Sequence, residues 1–256
     1  MITKRTIAMT TNSRPAILIA AMLSLAAPAQ AQTFSADQRQ EIESIVKSYL
    51  LAHPEVMQDV MAELDKRQQA AEAEKHRAAV IENKATLFGS PHQVVLGNPQ
   101  GNVTMVEFFD YNCGYCKRAL PDMLALLKTN PDLKFVLKEF PVLGEGSVEA
   151  AHVAVAARMQ DVTGKKYLEF HQKLLGGRGP ADRARALAVA KEVGFDMARI
   201  EKDMNSDEVK KTIAEDMKLA DALGVNGTPS YVVGDEVVIG AVGLDALREK
   251  IDADHK

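Results

Sequence analysis

The sequence predicts an α/β fold with a helical insertion, preceded by an α-helical N-terminal stalk. Three observations carry this. Residues 103–140 read strand, helix, strand; residues 147–224 give one helical pattern after another with no strand signal; and residues 35–85 are helical text that turns almost wholly polar after Leu64.

Taken in order, the chain opens with Lys4, Arg5 and Arg14, an apolar stretch from Pro15 to Ala27, and the small-residue run Pro28-Ala29-Gln30-Ala31. This is the pattern of a secretory signal peptide over residues 1–31, with a mature protein beginning near Gln32. The apolar stretch is short for a membrane span, and nothing later approaches 18 uninterrupted apolar residues. An exported, soluble protein is the expectation.

Residues 32–88 are expected to form a helical oligomerisation domain and stalk. Ser35 and Gln38 make a capping box, and Ile42, Ile45, Val46, Tyr49 and Leu50 fall on one helix face. His53-Pro54 interrupts, and Pro54 suits the first turn of a second helix striped by Val56, Met57, Val60, Met61 and Leu64. From Asp65 to Arg77 the text is strong helix formers with few large apolar residues, a solvated stalk. Running to about Ala85, this helix would be roughly 48 Å long. The stripes need cover, from other copies of the chain or from the chain's own domain.

Residues 89–256 are expected to hold the catalytic domain. Val94 to Leu96 reads as a short strand, and Val103 to Phe109 as a strand apolar at nearly every position, as when both sheet faces are covered. Residues 114–129 read as a helix and Leu133 to Phe140 as the next strand, completing a βαβ unit. The insertion at about 147–224 has helix caps at Ser147, Asp182 and Ser206 and stops at Gly164, Gly194 and Gly224. Tyr231 to Val233 and Glu236 to Ile239, joined by Gly234-Asp235, form a hairpin, and Leu244 to His255 a closing helix.

The formal net charge is −4. Removing Lys4, Arg5 and Arg14 with the signal takes −4 to −7, which gives no electrostatic footprint for nucleic acid. Lys165-Lys166 and Lys210-Lys211 read as solvated helix faces, and Gly176 to Pro180 as a turn rather than a phosphate loop. His152 and His171, single histidines on helices, are assigned no role. Methionines such as Met57 and Met61 read as pliable core fillers, and no cofactor or metal is expected.

The chain has two cysteines, Cys113 and Cys116, in the run Cys113-Gly114-Tyr115-Cys116 directly after an apolar strand. With no further cysteine they cannot belong to a structural disulfide framework. They are a redox centre or half a metal site, and the six scattered histidines do not supply motif-spaced ligands for the latter. A cysteine in the first turn of a helix feels the partial positive charge of unpaired backbone N–H groups, which favours thiolate, and Cys113 has that place. Cys116 lies one turn on, on the same side, where it can attack a mixed disulfide formed at Cys113.

The run from Val106 to Lys117, Glu-Phe-Phe-Asp-Tyr-Asn-Cys-Gly-Tyr-Cys at its centre, with Pro121 beyond it, resembles thioredoxin-fold proteins. With the long helical insertion, residues 90–256 are similar to the DsbA family. Gly224 to Val233, which contains Thr228-Pro229, resembles that family's cis-proline loop, so Thr228 and Pro229 are expected to face Cys113 and pair with an extended substrate strand. The resemblance implies that Glu107 is buried near the second cysteine and relays a proton for Cys116. The other reading has Glu107 reaching solvent or pairing with Lys138 on the adjacent strand. Gly114 and Tyr115 fill the loop between the cysteines, and Tyr115 stands where the best-known oxidases of the family have a histidine.

The N-terminal helices ahead of a Cys-Gly-Tyr-Cys domain resemble the ScsC group, exported DsbA-like proteins that include trimeric disulfide isomerases. This implies a periplasmic disulfide isomerase or reductase, assembled as a homotrimer through residues 34–85. Its partners would be exported substrates with cysteines and a membrane redox partner that recycles the site. A DsbA-like oxidase is the alternative, and a copper-binding protein, from the copper tolerance linked to that group, is a third.

Overall fold

The computed structural model describes residues 34–254 apart from Val162. The expected signal peptide lies outside the described residues. The chain divides into two units, one ending at Asp59 and the other beginning at Val60.

In the first unit α1 spans Ala36–Ala52. It starts as the sequence predicts: the Ser35 hydroxyl accepts from Gln38 N at 3.2 Å, and the Gln38 side chain accepts from Ser35 N at 2.9 Å. Ile42, Ile45, Val46 and Tyr49 are all exposed among the described residues and form an apolar stripe.

Helix α2, Glu55–Glu82, begins in the first unit and continues into the second. Val60, Met61 and Leu64 are exposed, and residues 65–75 are solvated as expected. Its last turns are different. Val80 is buried in an apolar cluster with Leu87, Val106, Phe108, Val136, Leu219, Leu223 and Val232, and Arg77 Nε pairs with Asp235 Oδ2 at 2.7 Å. The helix stops at Asn83, which separates it from α3, Lys84–Gly89, so the continuous run to Ala85 is broken. Leu87 of α3, fully buried, explains the break, since the chain must turn to seat it.

The remaining elements are β1 (Val94–Gly97), β2 (Val103–Phe109), α4 (Gly114–Thr129), β3 (Leu133–Glu139), α5 (Glu145–Arg158), α6 (Lys165–Leu175), α7 (Arg183–Val193), α8 (Met197–Asp203), α9 (Asp207–Ala222), β4 (Ser230–Val233), β5 (Glu236–Ile239) and α10 (Leu244–Asp254). The strands form one sheet in the order β1-β3-β2-β4-β5, with β2 and β3 parallel around α4 and the other neighbours antiparallel. A parallel pair needs a crossover, and α4 provides it.

Strand alternation sorts β2 between two cores. Val103, Met105 and Phe109 face the cluster that contains Cys113, Cys116, Leu120, Tyr231 and the insertion helices, while Val106 and Phe108 face the cluster of Val80 and Leu87. Glu107 therefore falls on the cysteine face. In β3 the same rule puts Lys138 beside Val136 on the opposite face, where Nζ pairs with Asp216 Oδ1 at 3.2 Å and donates to Thr86 O at 3.3 Å. Residues on opposite faces of a sheet cannot pair, so the Glu107–Lys138 reading fails on geometry.

Two helix signals in the insertion are displaced. Ser147 does not cap α5, which begins at Glu145 behind Gly144; it is buried and its hydroxyl donates to Asp110 Oδ1 at 2.8 Å. Gly164 does not end a helix but precedes α6, at φ +73°, a left-handed conformation that glycine adopts freely. Asp182 and Ser206 cap α7 and α9 as predicted, accepting from Arg185 N and Val209 N.

Candidate active site

Cys113 is the N-cap of α4, with extended backbone (φ −75°, ψ 116°), and its sulfur accepts from Cys116 N at 3.4 Å. Cys113 N donates to Asp110 O at 3.0 Å and Lys117 N to Cys113 O at 3.0 Å, so the residue is held at both backbone ends. Opposite the sulfur lies the loop before β4, where the Thr228–Pro229 peptide is cis and the Thr228 carbonyl accepts from Cys113 Sγ at 3.1 Å. Both cysteines are free thiols; Cys113 is 5% exposed and Cys116 0%. On ionisation Cys113 would lose its bond to Thr228 O and keep the Cys116 N–H, a donor aimed at the charged form.

Glu107, buried at 3% exposure, stands on β2 opposite Tyr231 of β4, and no ion pair among the described residues involves it. Burial pushes its carboxyl up to about 8. Burial and then the charge of Glu107 push the Cys116 thiol up. The two groups sense each other, and both hold protons near neutrality. The same two influences, burial first, keep the Tyr231 phenol neutral.

The cysteine loop rests on two residues that sequence reading passed over. Asp110 is 1% exposed, and its carboxylate accepts from Asn112 N at 2.7 Å, Ser147 Oγ at 2.8 Å, Val142 N at 2.9 Å and Leu143 N at 3.0 Å. Asn112 donates to Ser147 Oγ at 3.0 Å and Ala181 O at 2.8 Å and accepts from Ala181 N at 2.7 Å. Together they bolt the helical insertion to the residues just before Cys113. Two short polar side chains flanking Tyr111 ahead of a helix are the local signal, since such residues bond nearby backbone in turns.

Between these two, Tyr111 turns inward. Its hydroxyl lies 3.1 Å from Tyr167 Oη and 3.3 Å from His171 Nδ1, and Tyr167 Oη donates to Glu139 Oε1 at 3.1 Å. Burial pushes the Glu139 carboxyl well above its usual range and His171 down to about 3. The network is thus held neutral behind the cysteine loop. His171, given no role from sequence, is one of its members.

Tyr115 is 59% exposed, and a Cβ at Gly114 would meet only Arg118 Nη1, at 3.9 Å. Cys113, Cys116, Gly114, Tyr115, Thr228, Pro229 and Glu107 therefore converge on one end of α4 and the adjoining strands. Among the described residues no group of three or more His, Cys, Asp or Glu side chains is placed to hold a metal.

A sheet of this order with a cysteine pair opening its crossover helix and a cis-proline loop opposite defines a thioredoxin-fold protein of the paired-thiol class. The chain belongs to the family of DSBA-like thioredoxin domains, whose family model matches residues 104–252. A second family model, the copper resistance protein ScsC N-terminal domain, matches residues 38–71. A thioredoxin-like oxidoreductase from Silicibacter pomeroyi is 46% identical, with a TM-score of 0.64, covering 68% of this chain and 98% of that one. A linker-deleted variant of Proteus mirabilis ScsC is 25% identical, with a TM-score of 0.65, and covers 88% of this chain and 98% of its own. Disulfide bond formation protein D of Bacillus subtilis is 24% identical over 69% of this chain and 82% of that protein. The chain also matches Na(+)/H(+) antiporter NhaA 1 of Salinispora arenicola at 28% identity over 60% of its length, spanning only 23% of that curated relative.

Proposed function

We propose that this chain is a thiol–disulfide oxidoreductase of the DsbA and ScsC type that acts in the periplasm on exported proteins, chiefly as a disulfide isomerase or reductase. The observation that carries the reading is Cys113 Sγ, placed at the start of α4 between the Cys116 N–H and the Thr228 carbonyl.

Ionised Cys113 attacks one sulfur of a substrate disulfide, forming a Cys113–substrate bond and expelling the other substrate sulfur as a thiolate that takes a proton from solvent. Cys116 then loses its proton, for which Glu107 is the buried acceptor in the minority of molecules whose carboxyl is ionised near neutrality, and attacks Cys113. This closes the Cys113–Cys116 disulfide and frees the second substrate thiol. When a different substrate thiolate, rather than the one just expelled, attacks the substrate sulfur of the mixed disulfide, Cys113 leaves as thiolate, the substrate departs with a rearranged disulfide and the protein stays reduced. Thr228 and Pro229 shape the groove that receives the substrate strand. A membrane reductant would return the dithiol state.

The isomerase direction is supported by the match to the ScsC N-terminal domain and by the apolar stripe that α1 exposes among the described residues. Three copies joined through residues 34–85 would present several cysteine pairs to one misfolded substrate, which favours recapture of a released thiol. An oxidase would instead rest as the disulfide, and the match to a disulfide bond formation protein keeps that direction as the second reading. No described helix is long and apolar enough to cross a membrane.

The test uses the chain from Gln32 with and without Ile45→Asp and Tyr49→Asp. Light scattering should give three copies for the parent and one for the variant. Refolding of scrambled ribonuclease should fall at least severalfold in the variant while reduction of insulin by dithiothreitol persists. A monomeric parent, or equal refolding by both forms, would defeat the assembly and the isomerase direction together.

A further inference from the structure

We propose that Arg118, held on the ring of Tyr115, makes the site prefer substrates with a negative charge beside the reacting cysteine. This rests on the exchange reading above and adds the chemical class of substrate to it.

The Arg118 guanidinium carbon lies 4.2 Å from the centre of the Tyr115 ring. The same group stands beside Gly114, since a Cβ on that glycine would come within 3.9 Å of Arg118 Nη1. It is thus fixed next to the residue that follows Cys113. An exposed tyrosine ring holds a guanidinium by cation–π attraction, and a stacked guanidinium keeps its N–H edges free for a carboxylate.

Every ion pair among the described residues uses another cation, and Asp122, one turn along α4, makes none with Arg118. The adjacent cation Lys117 points elsewhere, donating to Gly177 O at 3.3 Å and Gly179 O at 3.4 Å. The whole chain carries a net charge of −4, which by itself would repel anionic partners. A local preference for them therefore has to come from a local cation.

The effect belongs to the first exchange, in which Cys113 bonds to one substrate sulfur and the other leaves as thiolate. A carboxylate beside the attacked sulfur gains attraction to Arg118 that an amide does not. At surface distances in water a unit charge changes the rate about threefold, so Glu against Lys differs about tenfold at low salt. Added salt should shrink the difference.

The probes are three short symmetric peptide disulfides, alike except for Glu, Gln or Lys next to the cysteine. Each oxidises the reduced protein to its Cys113–Cys116 disulfide and releases two peptide thiols. Rates are divided by those of the same peptides with dithiothreitol, which removes their intrinsic reactivity. The parent protein should give a Glu to Lys ratio of about ten at low salt, and Tyr115→Phe, which keeps the ring, should retain it. Arg118→Gln and Tyr115→Ala should bring the ratio close to one. A ratio at or below one in the parent, or an unchanged ratio in Arg118→Gln, overturns the inference while leaving exchange intact. If no peptide oxidises the protein, the exchange reading falls and this inference with it.

Discussion

Replacing Cys116 with serine is expected to turn the protein into a trap. Cys113 would still attack a substrate disulfide, but the mixed disulfide would have no neighbour to displace it. Cys116 is fully buried one turn from Cys113, with its N–H on the Cys113 sulfur, so resolution in the parent is intramolecular. Intramolecular attack outruns attack by dilute external thiols by orders of magnitude, and steady-state dithiol oxidation should fall roughly 10³-fold or more. Non-reducing electrophoresis with mass spectrometry should find substrate joined to Cys113 in Cys116→Ser and nothing captured in Cys113→Ser. Capture by the Cys113→Ser protein would reverse the assigned roles.

Glu107→Gln should change stability and turnover in opposite directions. The carboxyl moves from an ordinary value of 4.5 to about 8 in the folded protein because burial penalises its charge. Between these values the folded state holds a proton that the unfolded state has released. Stability is therefore fully present below about pH 4.5 and is lost as pH rises through 8. By pH 7 the loss amounts to about 3 kcal/mol, at 1.36 kcal/mol per pH unit. Glutamine keeps the shape and has no proton to lose, so the variant should be more stable by up to about that amount at pH 7 and little changed at pH 4.5. Resolution by Cys116 should slow roughly 10²-fold, since the buried proton acceptor is gone. Denaturant unfolding at pH 4.5, 6, 7 and 8.5 checks the first part, and the lifetime of the mixed disulfide checks the second. Parallel stability profiles for the two proteins would contradict the shifted carboxyl.

A buried acid that destabilises the fold near neutrality needs a compensating use, and the sequence hinted at one. Glu107 sits in a strand apolar on almost every side, six residues before Cys113, and alternation alone assigns it to a face. What the sequence left open was which face carries Lys138. That depends on register, and the parallel pairing of Phe108 with Lys138 settles it by placing the lysine with Asp216.

The elements were legible for the same local reasons. The capping box at Ser35, the uninterrupted apolar run of β2, the Gly234-Asp235 turn and the caps at Asp182 and Ser206 each act within a few residues. Asp110 and Asn112 were not legible, because their partners Ser147 and Ala181 lie 35 to 69 residues away. Ser147 looked like a helix cap for that reason: a small polar residue ahead of an apolar run has the same local text whether it bonds its own helix or Asp110. Val80 was hidden by its setting, beside the exposed Ile81 at the end of a charged helix, yet it seats that helix in the second core.

The central claim is that Cys113 is a reactive sulfur and Cys116 its shielded partner. The direct measurement is the rate of iodoacetamide alkylation of the reduced protein between pH 6 and 8, resolved by residue with mass spectrometry, in the folded chain and in the chain unfolded by guanidinium. Cys113 should be modified faster folded than unfolded at pH 6, while Cys116 stays unmodified until the fold is lost. A folded Cys113 no faster than its unfolded counterpart, or a Cys116 that reacts first, would contradict the account.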